Sequence, residues 1–222
     1  PPFPTGQFNI ASWMVSPQVV PALDENMLTL MFHIKKGVTH SATLWLMKSS
    51  DGGRTWKVLS EVSKRSPLFR EGLNEATLMR GADGVLTCVA RTGWSLVIIR
   101  SKDDGRTWLP WKFLGIDGVA PQAIELKSGM SLVTYGRPDV NLFVSLDENF
   151  QHWDAPFQIY NANRAPHEFV ADWHQHGTFY VDSVEVEPGR LLSLYDTAGD
   201  SGAPGQRPQN RLWLQEAFID SV

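Results

Sequence analysis

The sequence predicts an all-β chain, a β-propeller of four-stranded antiparallel blades with about four blades present, and three observations predict it. An eight-residue phrase occurs twice, as SSDGGRTW at 49–56 and SKDDGRTW at 101–108, a spacing of 52 positions. Four longer segments share one plan: PQVVPALDENMLTLMFH (17–33), EATLMRGADGVLTCVAR (75–91), PQAIELKSGMSLVTYGR (121–137) and YVDSVEVEPGRLLSLYD (180–196). Each reads as a short strand, a turn rich in Asp, Asn, Gly or Pro, and a second strand rich in Leu and β-branched residues. Helical periodicity is absent almost throughout. A unit of four antiparallel strands, repeated every roughly 45–60 residues, is the blade of a propeller.

Taken in order, the blades fall at 16–64, 72–116, 119–161 and 178–220, within a single domain over 1–222. In the first three, an alternating apolar third strand follows the shared plan: ATLWLMKS, SLVIIRSK and NLFVSLDE. The repeated phrase then turns the chain into a fourth strand, such as WKVLSEV or WLPWKFL. The fourth blade ends with its third strand, RLWLQEAFID, and PPFPTG at the start reads as the trailing edge of a preceding blade. The expectation is an excerpt lacking N-terminal blades, roughly two of them on a six-bladed ring, with a four-bladed ring as the alternative.

The phrase itself reads as a hairpin turn with a structural role. Ser49, Asp51, Gly53, Thr55 and Trp56 recur as Ser101, Asp103, Gly105, Thr107 and Trp108. The Asp and Thr side chains suit bonding within the turn, Gly suits a positive-φ corner, and Trp suits packing inward. A degraded third copy, SLDENFQHW at 145–153, keeps Ser145, Asp147 and Asn149, loses the Thr, and brings Trp153 one residue late.

Composition narrows the function classes. The 222 residues are 42% hydrophobic and 20% charged, with a net charge of −4. Lys and Arg are scattered rather than striped, which argues against nucleic acid as a partner. No apolar run approaches the roughly 18–20 residues that span a bilayer as a helix. The one cysteine, Cys88, lies in the apolar run VLTCVA and is expected as a buried structural thiol, so no disulfide forms within the chain.

Aligning the repeats puts four polar residues at equivalent places. Glu75 and Tyr180 begin the first strands of the second and fourth blades, while Arg91 and Arg137 end the second strands of the second and third. In a propeller the start of the first strand and the end of the second lie at one mouth of the channel. The repeated turns lie at the other. Two guanidiniums at one mouth suit a carboxylate ligand, since each offers a planar fork of donors. A Tyr beside a Glu suits a phenol nucleophile whose proton a carboxylate can take. The plainer reading pairs Arg91 and Arg137 with Asp83 and Asp139, and makes Tyr180 an ordinary strand aromatic.

The phrase S-x-D-x-G-x-T-W resembles the Asp box, or BNR repeat, of the sialidase (neuraminidase) superfamily, whose members are six-bladed propellers. The resemblance implies an exo-α-sialidase-like glycoside hydrolase that removes a terminal sialic acid, or a related acidic sugar, with retention. It implies that Glu75 and Tyr180 are the catalytic pair, Tyr180 as nucleophile, and that Arg91 and Arg137 are the second and third arginines of a carboxylate-binding triad. The family's first arginine, in an Arg-Ile-Pro motif, and the acid/base Asp after it are not found. RSP at 65–67 and RAP at 164–166 fall between blades, and the missing pair is expected upstream. The resemblance further implies no cofactor and no catalytic metal, a sialylated or other acidic glycan as partner, and a secreted or periplasmic location. A non-catalytic Asp-box propeller that binds acidic glycans or a protein is the alternative.

Two long loops are expected near the same mouth. NANRAPHEFVADWHQHGT (161–178) carries His167, Glu168, Asp172, His174 and His176, whose spacing fits no standard metal site, and Trp173, placed to touch a substrate. TAGDSGAPGQRPQN (197–210) is the second. Loops of this kind carry specificity on a rigid scaffold.

Overall fold

The computed structural model describes residues 10–35, 42–63, 66–69, 71–93, 95–137, 139–160, 180–198 and 210–219. All regular structure among them is β-strand, in four separate antiparallel sheets of sequentially adjacent strands. Such meanders are propeller blades. The chain divides into two compact units, Pro1–Ile116 and Asp117–Val222.

The first unit holds two four-stranded sheets. One contains β1 (Ile10–Pro21), β2 (Met27–Lys35), β3 (Ala42–Ser49) and β4 (Lys57–Glu61); the other contains β5 (Asn74–Arg80), β6 (Leu86–Arg91), β7 (Ser95–Ser101) and β8 (Lys112–Asp117). Alternation decides the packing. In β3, Ala42, Leu44 and Leu46 point to the core, and Leu28, Leu30 and Phe32 of β2 lie on the same face. They meet Leu78, Leu86, Cys88, Ala90, Val97 and Ile99 of the second sheet in one cluster. β6 is buried along its whole length, as the inner strand of a packed sheet must be. Burial there pushes the Cys88 thiol up and keeps it protonated.

Two boundaries differ from the sequence reading. β1 begins at Ile10, ahead of the expected start at 16, because a register shift between Val15 and Val19 lets two stretches of one strand pair with β2. Such a shift breaks the period-two pattern by which strands are read. β8 begins at Lys112, after Pro110, which has no N–H to give a ladder.

The second unit holds β9 (Val119–Glu125), β10 (Ser131–Gly136), β11 (Val140–Val144) and β12 (Phe157–Tyr160) in one sheet. A further sheet contains β13 (Val181–Glu187), β14 (Arg190–Ala198) and β15 (Asn210–Phe218), three strands among the described residues. Leu126, Leu132, Leu142 and Leu191 pack the two sheets together near one end. Val140, Val181 and Tyr195 do so near the other.

Candidate functional site

The repeated phrase folds into the same turn twice. The Ser49 hydroxyl accepts the Gly53 amide at 2.9 Å and donates to Asp51 Oδ1 at 2.9 Å. Asp51 then accepts the Thr55 amide at 2.8 Å and the Thr55 hydroxyl at 2.5 Å. Ser101, Asp103, Gly105 and Thr107 repeat every one of these bonds. Gly53 and Gly105 take φ of 85° and 82°, where a side chain is disfavoured. The Thr55 hydroxyl and amide, then the Ser49 hydroxyl, hold the Asp51 carboxyl down at about 2. The Thr107 hydroxyl and amide do the same for Asp103.

In the third copy Phe150 takes the left-handed corner at φ 56° and stacks on Trp153. Burial opposes ionisation of Asp147, but the amides of Gln151, His152 and Asn149 override it and bring the carboxyl to about 2. These carboxylates are consumed by their own turns.

At the opposite end of the first unit lie Glu75 and Arg91. The register Asn74↔Arg91 puts the start of β5 beside the end of β6, while Leu86↔Ser101 puts the second turn at the far end. A register shift between Asn74 and Ala76 makes Glu75 a bulged residue, with φ at 29°. Bulges re-aim side chains, and here Glu75 turns onto Arg91: Arg91 Nη1 donates to Glu75 Oε1 at 2.8 Å. Arg91 is only 8% exposed. Its Nε donates to the Gly93 carbonyl at 3.0 Å, and its Nη2 meets Glu71 Oε2 at 3.1 Å. One guanidinium thus stands between two carboxylates.

Glu71 was not legible as part of this cluster. It sits in the link between blades, where no strand pattern points at it. The structure holds its backbone firmly. Its N–H donates to Thr92 O at 3.3 Å and its carbonyl accepts the Ala42 amide at 2.9 Å. Gly72 follows at φ 79°, and a Cβ there would run into the Ala42 carbonyl, so only glycine fits. Asp83, paired with Arg91 in the plainer reading, accepts the Val85 amide in the β5–β6 turn at 3.0 Å.

In the second unit Arg137 directly follows β10, and Tyr180 directly precedes β13. Gly136↔Val140 places Arg137 at the end of the sheet where Val140 packs on Val181. Arg137 and Tyr180 therefore share one end of this unit. Arg137 is half-buried and holds φ at 58°, in the left-handed region. Asp139, paired with Arg137 in the plainer reading, accepts Gln158 Nε2 at 2.7 Å. Tyr180 is 37% exposed, and its amide donates to Asp196 Oδ1 at 2.8 Å, which pins the backbone and leaves the ring at the surface. Beneath, Tyr195 packs on Tyr160 and is buried, with its hydroxyl pushed up chiefly by that burial.

Among the described residues no group of three His, Cys, Asp or Glu side chains is placed to hold a metal. PPFPTG, the RSP and RAP segments in part or whole, His167, Glu168, Asp172, Trp173, His174, His176 and most of the 197–210 loop lie outside the described residues.

No family model and no curated protein matches the sequence. Solved structures do match. A protein of unknown function from Dyadobacter fermentans superposes with a TM-score of 0.67 at 19% identity, over 90% of this chain and 52% of its own. The α-L-arabinanase of Penicillium chrysogenum gives 0.60 at 14% identity, over 94% and 63%. The NanB sialidase of Streptococcus pneumoniae gives 0.60 at 11% identity, over 98% and 53%. This chain thus spans between 52% and 63% of the length of these structures. At such identities the shared property is the fold, a β-propeller, and two of the three neighbours are glycosidases.

Proposed function

We propose that this chain is part of a sialidase-like propeller glycosidase that removes a terminal sialic acid, or a related acidic sugar, with retention. Tyr180 attacks the anomeric carbon, Glu75 takes up the phenol proton, and Arg91 and Arg137 bind the substrate carboxylate. The proton for the leaving group comes from an acid outside these four residues. The observation that carries the reading is the Glu75–Arg91 pair, a nearly buried guanidinium at a strand end held by a carboxylate on a left-handed bulge. Strain of that kind costs about 1–3 kcal/mol, and it persists where a function needs the geometry. Arg137, at φ 58°, carries the same signature. The Asp-box resemblance of the turns and the fold shared with a sialidase support the substrate class.

A second reading is favoured by Glu71. With two carboxylates on one guanidinium, the charge of Arg91 is already balanced, which suits a neutral sugar, and one fold neighbour is an arabinanase. Hydrolysis of a fluorogenic sialoside and a fluorogenic α-L-arabinofuranoside by the full protein separates the two. Turnover of the sialoside that collapses in Tyr180→Phe is the expected result. Turnover of the arabinoside alone establishes the second reading instead.

A further inference from the structure

We propose that the Glu71 carboxylate is a built-in competitor for the anion that Arg91 binds, holding the Nη2 side of the guanidinium until a substrate carboxylate takes its place. The proposal rests on the sialidase-like reading, and it adds a specificity-determining residue that the reading does not contain.

A guanidinium offers a carboxylate two forked edges, Nη1 with Nη2 and Nε with Nη2. In Arg91 all three nitrogens are engaged: Nε with the Gly93 carbonyl, Nη1 with Glu75 and Nη2 with Glu71. Nη2 belongs to both edges, so an incoming carboxylate that binds through either one meets Glu71. The two acids are not equivalent. The Glu75 side chain is 12% exposed and makes the shorter contact, 2.8 Å; that of Glu71 is 34% exposed and lies at 3.1 Å. Glu75 is fixed by its bulge. Glu71 is the acid that faces solvent and can leave.

Its departure needs no loop movement. The Glu71 backbone is held on both sides by Thr92 and Ala42, and Gly72 fits against the Ala42 carbonyl. Only the side chain swings, giving up Arg91 and a 3.4 Å contact with Asn74 Nδ2. While Glu71 remains, two carboxylates and one guanidinium leave one net negative charge, which repels an anionic sugar and leaves a neutral one unaffected. The residue therefore sets a threshold for carboxylate binding at this arginine.

The test is titration of the full protein with N-acetylneuraminate, in parallel with sialoside kinetics, for wild type, Glu71→Gln, Glu71→Ala and Arg91→Lys. Removing the competing charge should tighten N-acetylneuraminate binding about tenfold in Glu71→Gln, equivalent to about 1.4 kcal/mol, and lower KM for the sialoside by a similar factor. Glu71→Ala should do the same, and Arg91→Lys should weaken binding. A role for Glu71 in merely holding Arg91 in place predicts weaker binding in both Glu71 variants, with KM raised. That result, or unchanged affinity alongside Tyr180-dependent sialoside turnover, overturns the proposal and leaves the sialidase reading standing. Absence of sialoside turnover and of N-acetylneuraminate binding in every variant removes the reading itself.

Discussion

Asp51, Asp103 and Asp147 show how much one side chain can organise: each gathers the amides or hydroxyls of its own turn and is held at about 2 in consequence. A carboxyl lowered on folding contributes stability above its unfolded value, near 3.8, and loses it as pH falls through the folded one. Tm should therefore hold down to about pH 4 and fall steeply between about pH 4 and 2. Replacing all three by Asn should lower Tm at neutral pH and flatten that fall, as calorimetry across the range would show. Arg137 makes the opposite case. Its left-handed backbone suits glycine, so Arg137→Gly trades relieved strain against chain entropy, each about 1 kcal/mol. It should leave Tm nearly unchanged while lowering sialoside kcat/KM by about 10–100-fold, the worth of a charge-assisted bond. A drop in Tm with intact turnover would make Arg137 a structural residue. At this scale the sequence was only partly legible. Repeat alignment put Glu75 next to Arg91 because register preserves strand ends. It could not show Glu71, which reaches the cluster across an inter-blade link, nor the bulge that turns Glu75 inward.

The second copy of the repeated turn does more than close a hairpin. Asp104, at φ 60° and 4% exposed, occupies the place of Gly52 and accepts the Leu23 amide and Arg80 Nη2, the latter at 2.5 Å. Arg80 Nε also donates to the Pro21 carbonyl at 2.8 Å. On the same turn the Gly105 carbonyl accepts the Ser60 hydroxyl, and that hydroxyl in turn accepts Trp108 Nε1 at 3.0 Å. The turn after β7 thus ties the second sheet to both the β1–β2 turn and β4. Asp104→Ala leaves the half-buried Arg80 without its carboxylate and should cost about 1.5–3 kcal/mol by urea denaturation. Asp24→Asn, which breaks the exposed Lys48–Asp24 pair, should leave the midpoint nearly unchanged. Equal effects would show that Asp104 is not a tie between blades. The strand plan was readable because each apolar run alternates against a polar turn, as in ATLWLMKS. The tie was not, since Asp at a glycine position looks like drift within a motif.

For the whole molecule, the repeat established blades and the fold neighbours agree. What repetition cannot show is which sheet faces stay open. Val184, Leu194, Leu212, Leu214 and Phe218 lie on one face of the β13–β15 sheet and are all exposed, Leu212 at 74%. Exposed apolar faces of this kind bind hydrophobic dyes and favour association. Leu212→Lys with Leu214→Glu should reduce dye fluorescence of the folded protein without lowering its Tm. A marked loss of Tm would mean that the face is packed.

The proposed function makes Tyr180 the nucleophile of a propeller glycosidase. Its most direct test is the rate of fluorogenic sialoside hydrolysis by the full protein beside Tyr180→Phe, with Tm measured for both. The wild type should turn the sialoside over, and a variant of equal Tm should lose at least about 100-fold in kcat, as removal of a nucleophile requires. Equal turnover in the two proteins would contradict it.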